Sequence, residues 1–226
     1  MEWQLFAGVP AEDVRRLLSI ARRRTFARGE VVFHRDDPAN ALHLIVEGRF
    51  AVAITTPLGE TAMLAVRGPG DAFGELALVS GAETVRSATV SALEAGETRS
   101  VLREEFARLR REHPRVDAVL AAILAERVRR LSERLTEAYY LSAEARVLHR
   151  LAELADLYGG AVPLPQEALA ELAGTSRATV NRVLREQERR GLVRLGRAKI
   201  VVVEAGRGSG ALMAYNRGLM EVRDES

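Results

Sequence analysis

Residues 165–200, PQEALAELAGTSRATVNRVLREQERRGLVRLGRAKI, carry the reading of this chain. They predict two short helices joined by a Gly-containing turn, followed by a β-hairpin. Pro165 suits a first helical position, where its missing amide would lack a partner in any case. Ala168, Leu169 and Leu172 form an apolar stripe, and Gly174 supplies the backbone freedom of a tight turn. Ser176 is placed to cap a second helix. On that helix Val180, Val183 and Leu184 face inward, while Arg177, Ala178, Asn181, Arg182 and Arg185 face outward. Between Gly174 and Ile200 the cations Arg177, Arg182, Arg185, Arg189, Arg190, Arg194, Arg197 and Lys199 meet only Glu186 and Glu188. A cationic, outward-facing helix of this kind fits a DNA major groove. The bland alternative is an amphipathic helix with a solvated basic face; the hairpin at Leu192–Leu195 and Lys199–Val203, placed as a wing, favours the DNA reading.

Composition sets the bounds. A chain of 226 residues with 47% apolar residues can bury one large core or two small ones. Its formal net charge is only +2, so any basic character that matters is local. Lys199 is the sole lysine, and the remaining cations are arginines. With no cysteine, disulfides, thiolate zinc sites and cysteine-ligated iron–sulfur clusters are excluded. His34, His43, His113 and His149 are scattered without ligand spacing, so no metal is expected. No apolar run approaches the length of a membrane span, and the N-terminus does not read as a signal peptide; a cytoplasmic protein is expected.

Upstream of the helix pair the texture changes twice. A helix from Pro10 to about Arg23 carries Val14, Leu17, Leu18 and Ala21 inward. From Thr25 to about Ser100 short β-rich runs follow, including Glu30–His34, Ala41–Glu47, Arg49–Thr55, Thr61–Val66, Ala88–Ala92 and Thr98–Leu102. Turn signals such as Asp36-Asp37-Pro38 and Gly68-Pro69-Gly70-Asp71 separate them, which predicts a small antiparallel barrel or jelly roll. A short helix over 103–111 stops before Pro114. Val116, Leu120, Leu124, Val128, Leu131, Leu135 and Ala138 then form a narrow seam on one long helix, Val116 to about Leu141. Such a seam needs a partner, and a second copy of the chain is the economical one. Packing of the seam on the barrel is the alternative. Ser142–Leu157 reads as a further helix, 158–165 as a loop, and the tail as a short helix around Ala211–Val222.

A second motif lies at residues 68–92, GPGDAFGELALVSGAETVRSATVSA. Gly74 lets the backbone approach an anion, and a helical turn at Glu75–Leu78 points amides toward it. Arg86 offers a planar fork to a phosphate and Ser87 a hydroxyl donor. Glu75 can accept from a sugar hydroxyl; equally, it can be a salt-bridge partner of Arg86.

The order of parts resembles the CRP/FNR family of bacterial transcription regulators over nearly the whole chain. LFAGVP, ARGEVVFHRDDPANALHLIVEGR, GPGDAFGELAL and LAGTSRATVNRVL carry the resemblance, the last two most specifically. It implies an α+β architecture: a cyclic-nucleotide-binding β-roll over 1–115, a dimerisation helix over 116–141, and a winged helix-turn-helix DNA-binding domain with its tail over 142–226. It also implies cyclic AMP as effector, held by Gly74, Glu75, Leu76, Ala77, Arg86 and Ser87, with Ser132 of the long helix near the base. No metal, iron–sulfur cluster or haem is implied. On DNA, Arg177 and Arg182 match positions that read guanine, and Gln166, Thr179 and Lys199 are expected on phosphates. Ser176 and Asn181 complete the interface, Asn181 as a reader of adenine. Ala178 departs from a glutamate common in the family, so a half-site altered at one position follows. Asp36, where the family favours glycine, Val85 before Arg86 and Leu131 before Ser132 are further departures. The implied partners are a pseudo-palindromic DNA duplex, a second copy of the chain and, for an activator, RNA polymerase. A regulator active without ligand and a cupin-type barrel enzyme are the rival readings; the latter lacks clustered histidines.

Overall fold

The computed structural model describes residues 3–79 and 85–203. Two compact units emerge, Met1–Glu60 with Leu64–Arg130, and Thr61–Met63 with Leu131–Ser226.

In the first unit a single 3-10 turn, Gln4–Phe6, precedes helix α1 (Ala11–Ile20). The helix expected to run to Arg23 stops at Ile20, and Arg22–Phe26 is strand β1. Leu17 is the last buried residue of α1, and no fully buried residue follows it until Phe26. Extending the chain instead lets Phe26 enter the core while β1 completes a ladder along β8. The remaining strands are β2 (Val31–Phe33), β3 (Ala41–Glu47), β4 (Phe50–Thr55), β5 (Thr61–Arg67), β6 (Ala72–Phe73), β7 (Thr89–Ala92) and β8 (Gly96–Leu102), with helix α2 (Leu76–Val79) between β6 and β7. They form two four-stranded sheets ordered β1-β8-β3-β6 and β2-β7-β4-β5, a roll rather than a closed barrel. β6, too short to leave a pattern, was not expected from the sequence.

Strand β3 does not alternate between buried and exposed residues. Its residues Ala41–Ile45 are all buried, because both faces of the strand are covered. Leu42 and Leu44 join an outer core with Trp3, Leu17, Phe106, Val116 and Leu120. Ile45 joins an inner core with Phe26, Phe50, Phe73 and Val90, drawn from both sheets. His43 is also buried: its ring stacks on Phe73 at 5.0 Å and its Nδ1 lies 3.1 Å from Thr98 Oγ1. Burial, reinforced by Arg86 and Arg24, pushes its pKa down to about 3.

Helices α3 (Arg103–Glu112) and α4 (Arg115–Tyr140) follow. The apolar seam of α4 has two environments. Val116 and Leu120 are buried in the outer core and Leu124 packs against it, whereas Val128, Leu131 and Leu135 are each more than half exposed. The packing on the roll given as the alternative therefore holds for the first turns of the helix alone.

The second unit contains α5 (Ala143–Tyr158), β9 (Ala161–Val162), α6 (Gln166–Ala173), α7 (Arg177–Arg189), β10 (Val193–Gly196) and β11 (Lys199–Val202). Ser142 caps α5 by accepting from the Ala145 amide at 3.2 Å. Val147, Leu151, Leu169, Val180, Val183 and Leu184 are fully buried and form its three-helix core. Residues 158–165 are not all loop: Ala161 and Val162 pair with β11 and make the wing a three-stranded sheet. A two-residue strand carries no periodicity, so only pairing reveals it. Pro165 stands at the cap, one position before the first helical residue. At the C-terminal end of α4, Arg150 of α5 is almost wholly buried and pairs with Glu137, and with Glu153 at 2.9 Å. The tail helix expected around Ala211–Val222 lies outside the described residues.

His43 has a measurable consequence. The folded state holds it neutral, whereas the unfolded chain takes up a proton below about 6.5. Its contribution to stability is complete above that pH and is lost progressively toward pH 3. His43→Phe, which keeps a ring against Phe73, should flatten this part of the profile when the two proteins are compared by thermal unfolding.

Candidate ligand cradle and nucleic-acid interface

The segment GDAFGELAL folds as β6 followed directly by α2, with Gly74 at the junction in a left-handed conformation, φ 81°. A Cβ there would lie 2.6 Å from Arg86 Nη1 and 3.1 Å from the Ala41 carbonyl oxygen. Glycine is thus required twice, by backbone conformation and by the approach of the guanidinium. Arg86 is only 5% exposed. Its Nη1 donates to the Ala41 carbonyl at 2.8 Å, and its guanidinium carbon sits 4.0 Å above the Phe33 ring. Among the described residues no carboxylate lies within ion-pair distance of it, and its Nε has no partner. Burial lowers its pKa, with Asp37 opposing that shift. Its backbone is fixed by two bonds to the loop opposite: the Arg86 amide donates to Asp37 O at 2.8 Å, and the Asp36 amide to Arg86 O at 2.9 Å. Asp36 holds φ at 70°, which accounts for the glycine usual at this position.

Glu75 is 7% exposed, and its partner is not Arg86. It pairs with Arg127 of α4, which also donates to the Ala72 carbonyl at 2.8 Å. Burial, with Arg67 adding to it, pushes the Arg127 pKa down to about 10, so Arg127 stays charged at neutral pH. Arg127 was missed as a site residue. It lies 52 positions from Glu75 and flanks the seam like any other arginine, so no local signal marks it. The structure brings Gly74, Glu75 and Arg86 together. Leu76 begins α2 and is partly exposed, Ala77 lies within α2, and Ser87 follows Arg86 at the surface. Ser132 sits exposed on α4, in the portion that belongs to the second unit.

Three potential metal ligands, Asp13, Glu112 and His113, have donor atoms within 4.8 Å of one another. Arg16 already pairs with both carboxylates, which makes the group an ionic clamp between α1 and α3.

The second unit presents the helix-turn-helix as read. Gly174 ends α6 in a left-handed conformation, φ 59°, and Ser176 Oγ accepts from the Thr179 amide at 3.1 Å. Arg177, Ala178, Asn181, Arg182 and Arg185 are exposed along α7. Of the two glutamates only Glu188 reaches this face, through Arg185. Glu186 pairs with Arg189 and Arg190, and Glu188 with Arg185 at 2.9 Å while also accepting from the Leu195 amide. Glu188 thereby ties α7 to the wing. Among the described residues Arg177 and Arg182 have only loose partners, Glu167 at 3.9 Å and Glu144 at 3.6 Å. Asn181 donates to Gln166 at 3.1 Å, so the two polar residues act as a pair across α6 and α7. Lys199 is exposed on the wing.

Comparison with known proteins joins the two units. Residues 23–113 match the cyclic nucleotide-binding domain model, and residues 145–207 match the Crp-like helix-turn-helix domain. The chain is 39% identical to the cyclic AMP receptor protein of Thermus thermophilus, over 89% of this chain and 93% of that one. It belongs to the CRP family of transcription regulators. A CRP-like cAMP-activated global transcriptional regulator of Mycobacterium tuberculosis is 30% identical over 90% of this chain and 93% of its own. The fold is that of the c-di-GMP-responsive regulator CLP of Xanthomonas campestris, with a TM-score of 0.74, 21% identity, and coverage of 85% of this chain and 98% of that one. As a CRP-family member the chain is a DNA-binding regulator with a cyclic-nucleotide-binding domain, not an enzyme. Among the described residues no helix is long and apolar enough to cross a membrane.

Gly74→Ala tests the cradle. The substitution forces a non-glycine residue to positive φ and drives a methyl into Arg86, a combined cost of about 1–3 kcal/mol. Urea unfolding should show that loss, and ligand affinity should fall with it.

Proposed function

We propose that the chain is a homodimeric, sequence-specific DNA-binding transcription regulator gated by cyclic AMP. In this reading residues 1–115 bind the nucleotide, 116–141 dimerise, and 142–226 bind DNA. One observation carries it: Arg86 is buried beside Gly74 and α2 with no carboxylate in ion-pair reach among the described residues. A buried guanidinium in that state favours an anion. Cyclic AMP, named for two relatives, supplies a phosphate of the right charge.

Arg86 and Ser87 would hold the phosphate, with the Gly74 and α2 amides beside it. Glu75, Leu76 and Ala77 would face the sugar, and Ser132 the base. Arg127 gives the cradle its link to the long helix. Any ligand group that draws on the Glu75 carboxylate competes with Arg127, and Arg127 is part of α4. Regulation requires that the ligand bind the DNA-competent arrangement more tightly than the other. The exposed Val128, Leu131 and Leu135 seam is where a second copy would pack.

On DNA, α7 enters the major groove. Arg177 and Arg182 each donate two bonds to a guanine, Asn181 faces adenine, and Ala178 contacts at most a thymine methyl. Ser176, Thr179, Gln166 and Lys199 hold phosphates. Two-fold symmetry then requires a pseudo-palindromic operator with half-sites about one helical turn apart. The protein works in the cytoplasm, and an activating role would engage RNA polymerase.

Isothermal titration with cyclic AMP tests the gate. Binding is expected, and Arg86→Leu should weaken it by at least about tenfold, the scale of a bond to a charged group, while operator affinity loses its dependence on the nucleotide. No heat at near-millimolar cyclic AMP would overturn the gating. Selection of bound sequences from random DNA tests the rest. Arg177→Ala or Arg182→Ala should each cost about 1–3 kcal/mol and relax preference at one base pair, whereas Lys199→Ala should weaken all sequences alike.

A further inference from the structure

Strands β1 and β2 are the edges of the two sheets and do not pair with each other. Between them the roll is open, and a cleft of about 530 Å3 reaches in to Arg86. Of the residues assigned above to the cyclic nucleotide, Arg86 alone lines it. The run Arg22-Arg23-Arg24 is divided across this opening by the pleat of β1. Arg23 pairs with Glu97 at 2.7 Å. Arg22 and Arg24, two positions apart on the other face of the strand, line the cleft and have no ion-pair partner among the described residues. Arg24 lies 5.5 Å from the Phe26 ring, and Ser100 adds a hydroxyl between the two arginines and β3.

The charge balance is cationic. Arg22, Arg24 and Arg86 face a single carboxylate, Asp37, which is already engaged by the His34 amide at 2.8 Å. His43 lines the floor but is neutral at physiological pH. The remaining wall is apolar, with Val32, Phe33 and Leu102 the main surfaces. A cleft of this volume suits a small organic molecule rather than a bare ion.

We propose that this cleft binds a small organic phosphate, with Arg22 and Arg24 clasping the phosphate and Val32, Phe33 and Leu102 receiving an apolar or aromatic body. Two planar forks about 7 Å apart along a strand can both reach one phosphate group. Because Arg86 borders both the cleft and the cradle, an anion in the cleft opposes a cyclic phosphate in the cradle, and by reciprocity the converse holds. The first statement stands alone, whereas the coupling rests on the cyclic-nucleotide reading.

Phenyl phosphate is the probe, titrated calorimetrically into the full chain without DNA. A Kd of about 1 mM or tighter is expected, with inorganic phosphate weaker by at least about tenfold because the body contributes burial. Arg22→Glu/Arg24→Glu, on exposed positions of an edge strand, should abolish the heat; circular dichroism and the thermal midpoint report whether the variant is folded. In the wild type, saturating phenyl phosphate should weaken cyclic AMP binding about fivefold or more, and in the variant not at all. Absence of phenyl phosphate binding, or binding that survives the double substitution in the folded variant, overturns the proposal. The direct titration gives its answer whether or not cyclic AMP binds, so failure of the cleft and failure of the cyclic-nucleotide reading are told apart.

Discussion

A guanidinium taken out of water must find an anion or be held by dipoles and a π face, and the first unit is arranged around that demand at Arg86. Its backbone is clamped to Asp36 and Asp37, its fork rests on the Ala41 carbonyl, and its plane covers Phe33. Gly74 must be glycine because Arg86 occupies the space where a Cβ would stand. The strained Asp36, the two-residue β6 and the buried His43 all lie against this arrangement or belong to the strands that frame it. Neutral carbonyl and ring contacts hold the cation in place but do not neutralise it, and that is the ground for proposing an anion there.

The neighbouring carboxylate is handled in the opposite way. Glu75 is buried and paired, and the arginine that pairs with it comes from the long helix. One cradle thus holds an unneutralised cation and a neutralised anion, and only the second is tied to α4. In the proposed function, the phosphate contact and the link to the helix would reside in different residues, Arg86 and the Glu75–Arg127 pair. In the second unit the same economy appears at Glu188, which closes an ion pair with Arg185 and caps the wing through the Leu195 amide, leaving Arg177 and Arg182 loosely held at the exposed face.

The helix-turn-helix was legible almost residue by residue because each signal in it is local. A serine cap, a left-handed glycine and a period of three to four act within one or two turns, and all three recur where they were read. The long helix was legible for the same reason. Its seam, however, looks uniform in sequence and is divided in space: burial depends on what lies opposite, and Val116, Leu120 and Leu124 meet the outer core while Val128, Leu131 and Leu135 stay exposed. In the roll, β3 defied alternation because both of its faces are covered, and β6 and β9 were invisible because two residues hold no period. The arginine run after α1 read as a continued helix until a ladder partner, β8, was in place.

By itself the sequence determined the kinds of unit and their order, the polarity of α7, and the presence of a glycine, a glutamate and an arginine in one cassette. Those are properties of composition and short-range spacing, where each residue constrains neighbours it can reach. Tertiary structure alone decided which carboxylate meets which guanidinium. Glu75 is eleven residues from Arg86 and 52 from Arg127, yet it pairs with the distant one, because β6, α2 and α4 converge there while Arg86 is turned toward Ala41 and Phe33. Charge pairing follows distance in space, and the chain reveals that distance only after both cores have closed.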